Sequence, residues 1–473
     1  MQKEDAPQLV RTLGLFATFI ITVSAVIGSG VYKKVAPMSA ELGSPTLVLI
    51  GWVVAGLITL FGALSNAEVA SMMADAGGEY VYFKRIYNRF FAFLFGWTCF
   101  TVIRSSALAS IAYVFAQSFN TIIPLPQLPE SIASIEWLGI FTPFDNFGVK
   151  VLTIALIGSL TIFNIFGLKT GEGLSRIVLM AVVVSMLLVI ILGLTIGNGG
   201  MANLSQTATG HDPGSLFSLE FIEHFFAAML AAFWAYEGWS STGYLGSEIK
   251  NANRNLPLAL VSGVIFIIII YVLMNFTYLY ILPVDQIIEA HQSQNTIAAI
   301  AVVKSFLGGG GALFMSILIL FTTFGATNST VLPPPRLYYA MAKDGLFFKL
   351  ASYVHPKYRT PSKALVLQAV WASLLVLSGS FDQLTDMLVF ASFIFYGATT
   401  LGVFVLRIRM PDAERPYKAW GYPVLPAIFI IFCIILILVT ISTKPREALL
   451  GLGLMFTGIP FWFFWNRPPT SKK

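Results

Sequence analysis

Apolar runs of about 20 residues recur twelve times along this 473-residue chain, and the segments between them are short. A helix of that length crosses the hydrocarbon core of a bilayer. Only helices and closed barrels can satisfy their backbone polar groups there. The runs cover 13–36, 45–73, 89–118, 148–167, 174–197, 219–246, 256–282, 305–330, 363–379, 384–407, 422–442 and 446–465. The longest connections, 119–147, 198–218, 283–304 and 331–362, leave no room for a soluble catalytic domain. No stretch shows the alternation over ~10-residue segments that marks transmembrane strands. Charged residues make up 11% of the chain, against ~25% in soluble domains, too few to cover a water-exposed surface. The expectation is an all-α polytopic membrane protein with twelve transmembrane helices.

The first twelve residues, MQKEDAPQLVRT, carry both charge signs and lack the pattern of a cleaved signal peptide. With the N-terminus inside, 22 of the 29 lysines and arginines fall in inner segments and 6 in outer ones, with Arg104 inside a span. That bias places both termini in the cytoplasm. An odd number of spans would mix the two sets. Cys99 and Cys433 sit in apolar runs, where a thiol behaves as a small hydrophobe. The net charge of +6 is spread over separate short loops and does not suggest a nucleic-acid partner.

Two spans are interrupted near their centres. The first contains Gly28–Ser29–Gly30, and the sixth contains Glu237–Gly238 within "FWAYEGWSSTGYLGSE". Glycine inside a helix costs about 1 kcal/mol relative to alanine. Discontinuous helices in corresponding places of two halves point to the binding site of a secondary transporter. Their separation by five spans implies two inverted five-span repeats, about 13–197 and 219–407, within a ten-helix core of 13–407. Two further spans (420–466) and a tail (467–473) would follow. Unwinding at Gly28–Gly30 frees N–H groups at a positive helix end, which suits a carboxylate. The carbonyls freed near Val26 and Ile27, joined by those around Trp234 and Glu237, suit an ammonium group. Anion donors beside cation acceptors fit an α-amino acid. The competing explanation is that small residues simply let helices pack closely.

The block "IGSGVYKKVAPMSAELGSPTLVLIGWVVAGLITLFGALSNAEVASMMADAGGEYVYFKRIYN" resembles the first two spans of the amino acid–polyamine–organocation superfamily, nearest to its L-type amino acid transporter family. The likeness continues through "FWAYEGW", "SEIKNANRNLP" and "RLYYAMAKDGLFFKLASYVHPKYRTP", covering about 12 to 410. The resemblance implies the LeuT-type fold, with 5+5 inverted repeats, and amino acid transport, often by exchange. It also implies a carboxylate site at the Ser29, Gly30 and Val31 amides, and an amino-group site at the Val26, Ile27, Trp234 and Glu237 carbonyls. Trp234, followed by Ala235, would close over the substrate as a gate beside Gly28 and Gly238, with Asn328 and Ser329 at polar positions of the eighth span. No cofactor or metal is implied.

Some features depart from the family pattern. Val182 stands where many members carry a lysine, and the fifth span, IVLMAVVVSMLLVIIL, holds no charge. Loop 119–147 lacks the cysteine through which animal members join a heavy chain. That favours a stand-alone monomeric bacterial type in the plasma (inner) membrane. Three consecutive prolines at 333–335 end or kink the eighth span.

Intramembrane charges are functional candidates. Glu237 has several readings: contact with a cationic substrate, proton coupling, a bond to the first-span backbone, or a structural pair with Arg104 or Lys33. Arg104 reads as structural, and Lys33 and Lys34 as snorkelling outward. His211, His224, His291 and His355 lack metal-ligand spacing. No nucleophile–base set, Walker A loop or dinucleotide fingerprint is present, so an enzyme or ATP-driven pump is not indicated. A channel would need a filter or charge rings. Neutral amino acid exchange is the leading expectation; a proton-coupled symporter, or a cationic amino acid or polyamine carrier using Glu237, is the alternative.

Overall fold

The computed structural model describes residues 13–73, 78–137, 141–166, 172–210, 218–292 and 297–466. The expected N-terminal segment 1–12, the tail 467–473 and His211 lie outside the described residues. No strand forms among the described residues. Among the described residues nine helices are long and apolar enough to cross a membrane, and three shorter apolar ones, Leu15–Val26, Leu179–Thr195 and Ser362–Ser378, make up the expected twelve. They are numbered as spans 1 to 12. The side from which span 1 departs is called the N-side, and the opposite one the far side.

Span 1 is broken where the glycines stand. Leu15–Val26 stops, Ile27 turns extended (φ −68°, ψ 98°), and helix resumes at Gly30–Lys33, continuing past a turn at Lys34 into Val35–Leu42. It therefore runs six residues beyond the expected end. Gly43 closes it in the left-handed conformation (φ 59°). Ser44 then caps span 2, Pro45–Met72, by accepting from the Leu47 amide, with Pro45 in the first turn. Cap chemistry alone makes this hairpin tight.

Span 6 is Leu219–Tyr236, an extended Glu237 (ψ 150°), Gly238, and the 3-10 stretch Trp239–Glu248. The two breaks meet reciprocally. A Cβ on Gly30 would lie 2.4 Å from Ala235 Cα, and a Cβ on Gly238 would lie 2.2 Å from the Ala25 carbonyl oxygen. Gly238 also has φ 109°, open to glycine but strained for other residues. Each break thus carries a glycine that abuts the other span. Backbone bonds between Leu13 and both Glu248 (3.0 Å) and Lys250 (2.8 Å) tie the N-side halves together.

Span 3 is Arg89–Ile122 and contains a π turn, Cys99–Ile103. Spans 4, 5 and 7 are Phe147–Ile165, Glu172–Thr195 and Ala252–Ile281. Spans 9 and 10 are Ser362–Ser378 and Phe381–Arg409. Span 2 packs on span 7, span 3 on span 8 and span 4 on span 9. With the reciprocal 1–6 contact, four spans thus touch the span five places on. Span 11, Val424–Thr443, and span 12, Pro445–Trp465, pack on span 10. Ile431, Ile434 and Leu438 of span 11 are exposed, as a lipid-facing surface must be.

Span 8 departs most from expectation. Its helix begins at Ala298, kinks at Gly308 (φ 62°, ψ −153°), ends at Val331 and is followed by a new helix, Pro334–Lys343, inside the expected loop. Prolines stop the first helix because they lack the amide that continues it, yet the same residues suit the first turn of the next.

Buried Glu68 of span 2 anchors the connection between spans 10 and 11. It accepts from Arg407 (2.9 and 2.7 Å) and the Ala419 amide (2.6 Å), with Arg415 at 3.4 Å. Arg407 and Arg415 therefore serve a structural ion network as well as the charge bias read from sequence.

Candidate functional site

A cavity of ≈ 220 Å³ lies where the two breaks meet. Its wall includes Ala17, Ile20 and Ser24 from the first half of span 1, Ser241 and Thr242 from the second half of span 6, and Pro333, Pro334 and Leu337 of span 8. All of these lie toward the N-side of the breaks, so the cavity extends that way.

Val26, Gly28, Ser29, Gly30, Trp234, Glu237, Gly238 and Ser329 line it together, although they come from three distant parts of the chain. Ile27, Val31 and Ala235 sit behind the wall, 3%, 0% and 2% exposed. Asn328 is not on the wall either; its side-chain oxygen accepts from Asn164 Nδ2 of span 4 at 2.8 Å. Val26 keeps one carbonyl lone pair occupied, because Tyr271 Oη of span 7 donates to it at 3.1 Å. The buried Ser24 and Ser29 hydroxyls and the Trp234 indole N–H have no hydrogen-bond partner among the described residues. Unmet polar atoms in a dry interior cost about 1–3 kcal/mol each. Three of them stand on one cavity wall, where a bound polar molecule would satisfy them.

The charges arrange themselves around Glu237. Tyr396 Oη of span 10 donates to its carboxylate at 2.8 Å and 2.9 Å, and Arg104 Nη1 approaches Oε1 at 3.9 Å. Arg104 and Glu237 both border the cavity, and their side chains are 10% and 8% exposed. The π turn of span 3 ends directly before Arg104 and sets its angular position, an insertion that sequence periodicity does not reveal. Arg104 is thus part of the site wall and not only a structural residue.

The far side is closed by contacts among spans 1, 3, 6 and 10. Trp234 meets the Phe381 ring edge-on at 6.1 Å between centroids. Lys33 Nζ lies 4.1 Å from the centre of that ring and bonds to Gln117 Oε1 at 2.7 Å. Lys34 pairs with Asp382 and donates to Thr385 at 2.8 Å. Neither lysine snorkels outward as expected. Acceptors on spans 3 and 10 stand nearer than bulk water, and each ammonium turns to them. Lys33 is committed to Gln117, whereas Arg104 takes the role of Glu237's charged partner.

Tyr396, Tyr271 and Ser24 escaped the sequence reading. Each is a lone polar residue in an apolar run, and its partner lies far away: Tyr396 stands 159 residues from Glu237. Their only sequence signal is a hydroxyl in the middle of a span. No three His, Cys, Asp or Glu side chains converge as a metal site among the described residues. Val182 of span 5 is 3% exposed.

Comparison with known proteins matches residues 13–464 to the amino acid permease family. The chain is 30% identical over 464 residues to the b(0,+)-type amino acid transporter 1 of Rattus norvegicus, covering 96% of this chain and 88% of that one. It is 27% identical over 465 residues to the serine/threonine exchanger SteT of Bacillus subtilis, covering 98% of both. With the cystine/glutamate transporter of Homo sapiens it shares 24% over 471 residues, 98% of this chain and 88% of that one. A membrane bundle with two mutually packed broken helices, matched over almost its whole length, belongs to the amino acid permease family.

Proposed function

We propose that this protein exchanges neutral L-amino acids across the plasma membrane by alternating access. The observation that carries the reading is the meeting of two broken helices on one cavity wall, which leaves amide donors beside carbonyl acceptors. The carboxylate would sit at the Ser29, Gly30 and Val31 amides. The amino group would sit at the carbonyls of Ile27, Trp234 and Glu237, and at the second lone pair of the Val26 carbonyl. Trp234 is the gate toward the far side.

The preference for neutral side chains follows from Glu237. Its charge is balanced by Arg104 and its oxygens are engaged by Tyr396. A cationic side chain would have to compete with both. The named relatives, a serine/threonine exchanger among them, support amino acid exchange. The lysine and arginine bias supports cytoplasmic termini, so the cavity is open to the cytoplasm in this conformation. Loop 119–147 has no cysteine, which supports a protein working without a disulfide-linked heavy chain.

Counterflow in proteoliposomes tests this. Uptake of labelled alanine should require amino acid inside the vesicle and should ignore a pH gradient. Uptake into empty vesicles driven by an inward proton gradient would favour the alternative, a symporter coupled through Glu237. Preferential uptake of arginine or a polyamine would favour a cationic carrier.

A further inference from the structure

The connection between spans 8 and 9 carries the block "HPKYRTP", none of whose residues lines the transport cavity. From Gly345 to Lys363 it holds four basic residues, Lys349, Lys357, Arg359 and Lys363, and no acidic one. All four are exposed, and none forms an ion pair among the described residues. Other cations on the N-side are committed: Lys84 to Asp344, Arg407 and Arg415 to Glu68, and Arg409 to the Ile86 carbonyl at 2.9 Å. Leu350, Tyr353 and Val354, in the same connection, are 51%, 39% and 41% exposed. Lys363 Nζ lies 4.3 Å from the centre of the Tyr353 ring, so charge and apolar surface adjoin. Basic side chains around exposed apolar ones are the composition of a surface that rests on anionic lipid.

The turn that presents these charges is held in one shape. The His355 amide donates to the Thr360 carbonyl and the Arg359 amide to the His355 carbonyl, both at 2.8 Å. His355 Nδ1 accepts from the Lys357 and Tyr358 amides at 3.2 and 3.3 Å. Thr360 Oγ1 donates to the Ile165 carbonyl at 2.8 Å, and the Tyr358 ring meets Phe166 edge-on at 5.3 Å, which fixes the turn to the N-side end of span 4. Arg359 has φ 54°, a left-handed conformation that glycine adopts freely and a bulky residue rarely. Glycine would relieve that strain, yet the chain places a cation there. Phe163 and Phe166 at the end of span 4, and Val366 and Val370 of the adjoining span 9, are exposed as lipid-facing residues. The patch therefore continues the lipid-facing surface at its N-side edge.

We propose that this turn, with Lys349, Lys357, Arg359 and Lys363, is a docking site for the phosphate headgroups of anionic phospholipid in the N-side leaflet. The Arg359 guanidinium offers a planar fork of donors that matches a phosphate, and the lysines add point charges. Leu350 and Val354 supply apolar area at the acyl boundary. The lysine and arginine bias that supports a cytoplasmic N-side also puts the patch on the leaflet with negative surface potential. The inference needs the membrane spans but not the amino acid reading, so its failure leaves that reading intact.

Native mass spectrometry of the purified full chain, titrated with dioleoylphosphatidylglycerol or dioleoylphosphatidylcholine, tests it. The unmodified protein should bind phosphatidylglycerol at least about tenfold more tightly, because each basic residue near an anionic surface strengthens attraction roughly fivefold. Lys357→Gln combined with Arg359→Gly should lose most of that preference without a lower melting temperature, since glycine suits the backbone at 359. Lys304→Gln combined with Lys418→Gln removes the same charge from two exposed positions elsewhere and should leave the preference unchanged. Equal binding of the two lipids by the unmodified protein overturns the site. An equal loss in the Lys304/Lys418 control overturns it too, because net charge alone would then be at work. Inorganic phosphate that displaces the lipid at equal concentration overturns membrane docking in favour of a soluble anion. Should the Lys357/Arg359 variant fail to fold, the two lipids compared on the unmodified protein still decide.

Discussion

Lys34 Nζ stands 2.6 Å from Asp382 Oδ1, joining the far half of span 1 to the start of span 10. The lysine side chain is 1% exposed and the aspartate 37%. The pair lies beside Phe381, the ring that meets Trp234. Under the alternating-access reading, opening the far side would part spans 1 and 10 and break this ion pair. Lys34→Met and Asp382→Asn, measured singly and together by thermal or chemical unfolding, should show a coupling of about 1–3 kcal/mol. A coupling near zero would mean that the two residues do not latch the far side.

The two glycines of the first break should answer differently to alanine. At Gly30 the new Cβ would meet Ala235 Cα and Cβ at 2.4 and 2.5 Å, a clash of two backbones with no flexible side chain to yield. Gly30→Ala should cost about 1–3 kcal/mol and lower the yield of folded protein. At Gly28 the nearest atoms are 3.8 and 4.0 Å away. Gly28→Ala should fold normally and raise the KM for uptake, because its methyl group enters the cavity. Equal yields of the two variants by size-exclusion chromatography would contradict this account of the break.

Arg104 holds the charge balance of the site. Arg104→Met leaves the buried Glu237 carboxylate without its charged partner, a loss of about 3 kcal/mol when a buried pair is broken. The remaining carboxylate should draw cationic side chains. Arginine uptake should rise relative to leucine uptake, and alanine uptake should fall. An unchanged arginine-to-leucine ratio would show that Glu237 does not sense the substrate's side chain.

Trp234 should matter more to binding than its size suggests. Trp234→Ala removes the proposed gate and an indole N–H that has no hydrogen-bond partner among the described residues. Apparent affinity should fall at least about tenfold, the equivalent of ~1.4 kcal/mol. Trp234→Phe should restore the lid but not the N–H. A loss of melting temperature with unchanged substrate affinity would assign the ring to packing instead.

Asp344, just beyond span 8 on the N-side, gives a prediction about pH. Burial raises its carboxyl pKa, but bonds from Lys84 (2.9 Å) and Tyr80 (2.9 Å) and the charges of Lys84 and Arg89 outweigh that and hold it below the ordinary value of 3.8. A depressed pKa contributes stability that is present above the unfolded value and lost as pH falls through the folded one. The melting difference between wild type and Asp344→Asn should therefore be constant from pH 8 to 5 and shrink below about 4. A difference that changes between pH 8 and 6 would contradict it.

The membrane class, the number of spans and both breaks were legible in the sequence because each is local. Twenty apolar residues in a row have one stable form in a bilayer, and glycine pairs inside them have few uses. Eight of the twelve expected site residues also reach the cavity, since a break exposes the residues beside it. The end of span 8 at the prolines was legible too, but the helix Pro334–Lys343 beyond them was not, because proline also suits the first turn of a helix. Only the tertiary structure decided which partner each charge takes. Glu237 goes to Tyr396 and Arg104, Lys33 to Gln117 and Lys34 to Asp382. In a low-dielectric interior the nearest oriented dipole or charge wins. Nearness between residues 84 to 348 positions apart is a property of packing, which no local pattern records.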